Sequence, residues 1–131
     1  MGLRHDAGAA IVARARALIG AGFRPQGRSR ETGLDCVGVV AAALEVAAPL
    51  SDYRLRTGST GRILAALRAA GLRAASARRP GDVLIMASGP GQLHLGIWTG
   101  SGLVHADARL RRVVERPGPP PWRVVSQWRS G

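Results

Sequence analysis

Lysine and asparagine are absent from this chain and carboxylates are scarce: its 19 Lys+Arg residues are all arginine, against 8 Asp+Glu. Arginine in place of every lysine, beside abundant alanine, reads as the codon usage of a GC-rich genome. Codon usage does not explain the shortage of carboxylates. The formal charge of +11 therefore leaves a positive field that favours polyanions such as nucleic acid, anionic lipid or anionic cell wall. The arginines are dispersed, however, with short clusters only at Arg78–Arg79 and Arg109–Arg112. Three Trp, one Tyr and one Phe are too few for a base-stacking surface, so no nucleic-acid partner is expected. The single cysteine excludes a disulfide framework and a four-cysteine zinc site. No apolar run approaches the roughly 20 residues of a membrane span, because arginines interrupt each one. The stretch nearest to a leader, Ala9 to Ala21, has Arg14 and Arg16 where an apolar centre belongs. The expectation is one domain over residues 1–131, made in the cytoplasm without a signal peptide.

What is present changes character along the chain. Residues 6–21 place Ile11, Ala15, Leu18 and Ile19 at helical spacing, and Gly20 and Gly22 are positioned to stop that helix. After a loop rich in Gly, Arg and Ser, Asp35 is a suitable N-cap for a second helix running to Ala48, where Pro49 ends it. This helix is apolar on nearly every face and is expected to be buried. A third spans residues 59–70, with Ile63, Leu64 and Leu67 inward and Gly71 closing it. Beyond Arg79 the period becomes 2, with strands predicted at 83–86, 92–98, 103–108, 113–114 and 122–128. Helices followed by strands predict an α+β fold, with an antiparallel sheet against a buried helix.

Three residues stand out chemically: Cys36, His94 and His105. Cys36 follows the predicted cap, where free backbone N–H groups and the helix dipole favour a thiolate and an oxyanion. His94 and His105 lie on the two arms of a hairpin. They are directly opposite if the turn is Thr99–Gly100, and diagonal neighbours if it is Gly100–Ser101. In both registers they share one face, with Gly96 leaving room beside them. That is the arrangement of a base and its orienting partner beside a nucleophile. A small buried cysteine with ordinary histidines is the plainer alternative, and a three-ligand zinc site is another. Asp35 reads either as a structural cap or as a contact for a substrate amine.

These residues also carry a family resemblance. Asp35–Cys36–Val37–Gly38 resembles the D-C-x-G element of the NlpC-type, papain-like cell-wall peptidases. His94–Leu95–Gly96–Ile97 resembles their H-x-G-I strand, His105 falls where their third catalytic residue follows, and Arg79–Pro80–Gly81–Asp82–Val83–Leu84 resembles the preceding P-G-D element. The loop Phe23–Arg24–Pro25–Gln26–Gly27 with Gly33–Leu34–Asp35–Cys36 looks most like the small peptidases of phages and gene transfer agents. The resemblance implies a papain-like α+β fold with Cys36, His94 and His105 catalytic. Asp35, Phe23 and Val37 would lie near the substrate. It further implies hydrolysis of peptidoglycan stem peptides between D-glutamate and a diamino acid, with no cofactor and no metal, by a protein carried with the tail proteins of a particle to the periplasm and wall. Two positions depart from the pattern: Val37 stands where a serine is common, and Phe23 where a tyrosine is common. A thiol acyltransferase or amidase, or a non-catalytic tail-assembly module, are the alternatives on the same scaffold.

Overall fold

The structure, a computed structural model, describes residues 3–46 and 60–130. Helix α1 (Leu3–Arg16) leads to a small hairpin, β1 (Arg28–Ser29) and β2 (Gly33–Leu34), and then to α2 (Cys36–Leu44). Helix α3 (Thr60–Ala69) precedes six strands: β3 (Leu72–Ala74), β4 (Val83–Gly89), β5 (Gln92–Trp98), β6 (Gly102–Asp107), β7 (Arg112–Pro117) and β8 (Arg123–Ser130). The strands form one sheet in the order β3-β8-β4-β5-β6-β7, with every neighbouring pair antiparallel. This is the expected α+β architecture.

Helix α2 lies between α1 and the β5–β6 part of the sheet, and it buries Cys36 through Ala41 together with Ala43. Ile11, Ala15, Val39, Leu95, Ile97 and Val104 join it in the main core. The other sheet face carries a second cluster, Leu84, Met86 and Leu103, covered by Trp98, Trp122 and Val124. Arg14 ties the two helices together by donating from Nε to the Ala43 carbonyl at 2.7 Å, close to the C-terminus of α2.

Several boundaries differ from the sequence reading. Helix α1 ends at Arg16 and tightens into i→i−3 bonds, Leu18 N–H to Ala15 O and Ile19 N–H to Arg16 O. The tighter turn rotates Ile19 out of the apolar stripe and leaves it 39% exposed. Helix α2 stops at Leu44, because Glu45 adopts a left-handed conformation (φ 56°) and returns its N–H to Ala41 and Ala42. The predicted stop at Pro49 lies outside the described residues. Strand β3 and the β1–β2 hairpin were not foreseen; both are too short to show a period.

The P-G-D element has a structural role. Asp82 is fully buried and holds Arg129 of β8 through two bonds of 2.8 Å, while its Oδ2 also accepts from the Arg79 amide at 2.9 Å. It pins the start of β4 to the end of the neighbouring strand β8.

Candidate active site

The Asp35 carboxylate organises the start of α2. Its Oδ1 caps the helix by accepting from the Gly38 amide at 2.9 Å and also meets Arg28 at 2.7 Å; its Oδ2 accepts from the Gln26 amide at 2.8 Å. One side chain thus fixes the helix, the β1–β2 hairpin and the preceding loop. Gly38 is needed for the same fit: a Cβ there would run into the Gly27 carbonyl. Cys36 emerges at the first turn, only 5% exposed.

The hairpin adopts the second of the two registers, Ile97 opposite Val104 and Trp98 opposite Leu103, around a Gly100–Ser101 turn with Gly100 at φ 101°. His94 and His105 are therefore diagonal neighbours on one face. Their rings meet edge to face with centroids 5.0 Å apart, and His94 Nε2 lies 2.9 Å from His105 Nδ1. Trp122 stands against both rings, at 5.0 Å from His94 and 5.6 Å from His105. The room expected beside Gly96 is not free: a Cβ there would lie 2.7 Å from Leu103, whose side chain fills the space.

Regular pairing of β5 with β6 covers only those two residue pairs, so the strands part at the level of the histidines. A cleft of about 1190 Å³ lies there, lined by Cys36, Leu93 and Ala106 from the face against α2 and by His94, His105 and Trp122 from the other. A cysteine on the helix side and histidines on the outer face thus line one cleft. Asp35, Phe23 and Val37 line the same cleft, as do Asp107, Arg109 and Arg116, which the sequence reading did not single out. Among the described residues no group of His, Cys, Asp and Glu is arranged to hold a metal ion. No helix among them is long and apolar enough to cross a membrane.

The electrostatics correct one expectation. Burial pushes the Cys36 thiol up to about 12, and the Asp35 carboxylate adds to the rise. The backbone N–H groups of Leu95 and Val37 and the Arg28 guanidinium oppose it without prevailing. The helix start alone does not make a resting thiolate, because the loss of water outweighs it. Burial and the adjacent His105 hold His94 at about 4, against the pull of Asp107. Burial also lowers His105; Asp107 opposes the shift and Arg116 reinforces it. Both the thiol and the imidazole in this cleft are thus neutral at neutral pH, and Cys36 could react as a thiolate only if a base took its proton.

No family model matches the chain, and no curated protein sequence matches it. Solved structures do. The NlpC/p60 domain of the peptidoglycan hydrolase SagA is 26% identical over 84% of this chain and 88% of that one, with TM-score 0.54. The P60 domain of an antigen from M. avium subspecies paratuberculosis covers 98% of this chain and 97% of its own at 16% identity, TM-score 0.64. NlpC1 from Trichomonas vaginalis is also 16% identical, with TM-score 0.68, covering 98% of this chain and 46% of its own. The order of the helices, the antiparallel sheet and these likenesses together show that the chain has the papain-like NlpC/p60 fold.

Proposed function

We propose that this protein is a cysteine peptidase that hydrolyses peptidoglycan stem peptides, at the bond between D-glutamate and a diamino acid. The observation that carries the reading is the helix-start Cys36 sharing a cleft with a His94–His105 pair joined at 2.9 Å. The SagA neighbour, described as a peptidoglycan hydrolase and 26% identical, supports the substrate class.

His94 takes the proton of Cys36, and the sulfur attacks the peptide carbonyl carbon. The Cys36 backbone N–H helps to hold the oxyanion at the helix start. His94 returns the proton to the departing amine, then activates the water that hydrolyses the thioester. His105 fixes the tautomer and orientation of His94 through the Nδ1–Nε2 contact. Asp35 is fully engaged with Gly38, Arg28 and Gln26, so its part in substrate binding is to shape the cleft beside Phe23 and Val37.

Mass analysis of purified peptidoglycan fragments after incubation tests the reading. Cleavage releases a free amine on the diamino acid and a free carboxyl on D-glutamate. A product carrying an added amine in place of that carboxyl identifies a transferase, and unchanged fragments identify a non-catalytic module. For delivery we propose carriage on a phage or gene-transfer-agent tail, supported by the resemblance of residues 23–36 to that branch. Co-sedimentation with tail structures in a producing strain is the expected result, and free protein in the medium the contrary one.

A further inference from the structure

Asp107 is the last residue of β6, two residues beyond His105 and therefore on the same sheet face. It lines the cleft with both histidines. Its Oδ1 accepts from the amides of Arg109 at 2.8 Å and Leu110 at 2.9 Å, which locks the carboxylate at the mouth of the cleft. We propose that Asp107 is a positioning residue of the active site, a fixed negative charge that stabilises the imidazolium formed when His94 takes the Cys36 proton.

The tautomers require such a group. For His94 to act as base at Nδ1, its Nε2–H must donate to His105 Nδ1, so His105 carries its own proton on Nε2. That Nε2 is buried and has no hydrogen-bond partner among the described residues. His105 therefore passes no direct contact to a carboxylate, and charge stabilisation of the pair has to come through space. The groups available are few. Cys36 and Asp35 come from α2 and its cap, with Asp35 neutralised by Arg28 at 2.7 Å. Arg109, in the β6–β7 turn, and Arg116, from β7, are cationic, and Arg116 works against charge on His105. Strands β4 and β8 bring only Ser88 and, just ahead of β8, Trp122. Asp107 is the carboxylate that acts on both rings, raising each of their pKa values; against its own partial burial it is kept ionised first by the Leu110 and Arg109 amides, with the two histidines adding to that.

This inference rests on the peptidase reading, so its test includes a measurement made without peptide. Asp107→Asn keeps an Oδ1 acceptor for the two turn amides and removes the charge. The rate of Cys36 alkylation by iodoacetamide is followed from about pH 3 to 8 in the parent, His94→Ala and Asp107→Asn proteins, alongside kcat and KM on stem-peptide fragments. The expected result is an acid limb displaced to lower pH and a kcat lower by roughly tenfold in Asp107→Asn, with KM and the unfolding midpoint unchanged. Should Asp107→Asn be unstable, Asp107→Ser keeps a short acceptor for the turn and is read the same way. An acid limb that does not move, or a loss of kcat that follows a loss of stability, overturns the inference. Alkylation unaffected by His94→Ala overturns the peptidase reading itself.

Discussion

His105 Nδ1 and His94 Nε2 lie 2.9 Å apart, and Trp122 stands edge-on to both rings. The contact commits one nitrogen of each imidazole and, in the proposed mechanism, leaves His94 Nδ1 for proton transfer. The two rings therefore have unequal duties, and substitution separates them. His94→Ala removes the base and should lower kcat about 10²–10⁴-fold. His105→Asn keeps a hydrogen-bonding group toward His94 and should cost less. Equal losses in steady-state kinetics would show that His105 transfers protons too.

Cys36→Ala should abolish cleavage while costing only about 1 kcal/mol of stability, since a small residue replaces a small one. Cys36→Ser should be nearly as inactive, because a buried hydroxyl is harder still to ionise than a thiol already raised to about 12. Turnover measured on folded Cys36→Ala protein would remove the nucleophile from the mechanism.

The neutral resting pair fixes the pH behaviour. His94 stays unprotonated down to about 4 in the folded protein, so kcat/KM should hold level through neutrality and fall only near that value. Stability should weaken earlier. Between its ordinary value near 6.5 and about 4, His94 binds a proton in the unfolded chain but not in the folded one. Stability is therefore lost as pH falls through that window, by on the order of 3 kcal/mol once it is crossed. Burial of His105 acts in the same direction. Urea unfolding of the parent and His94→Ala proteins should show their stability difference changing by that amount between neutral pH and about pH 4.

Much of this site was legible in the sequence because local rules govern it. Asp35 before an apolar helix is capping chemistry, and the period of 2 through Gln92 to Trp98 puts His94 and His105 on one face in either hairpin register. Three features were not legible. The alternation that pairs the histidines also puts them on the face opposite Leu93 and Leu95, away from α2. Cys36 and both histidines nevertheless line one cleft where regular β5–β6 pairing has ended, and that loss of pairing leaves no periodic trace. Trp122 reads as the start of a strand, yet it lies ahead of β8 and lids both rings. The burial of α2 was expected from its apolar faces, but not that loss of water would outweigh the helix-end chemistry at the thiol, which alone overstates its acidity.

The Asp82–Arg129 pair allows the family-like P-G-D element to be tested as architecture. Both partners lie off the cleft that holds Cys36 and the histidines, but their burial is unequal: the Asp82 side chain is fully buried, whereas that of Arg129 keeps 18% exposure. Arg129→Ala leaves a buried carboxylate whose remaining side-chain bond is to the Arg79 amide. Asp82→Ala leaves a guanidinium that still donates to the Ala77 carbonyl and can turn toward solvent. The first should therefore cost about 3–5 kcal/mol and the second less, the asymmetry following from which charge is stranded. Replacing both should cost less than the sum of the single losses, since neither charge is then left buried alone. Turnover per folded molecule should stay at the parent value in all three proteins. Urea unfolding combined with titration of the reactive thiol measures both quantities. A fall in turnover without loss of folded protein would place Asp82 in the chemistry rather than in the frame that holds β4 against β8.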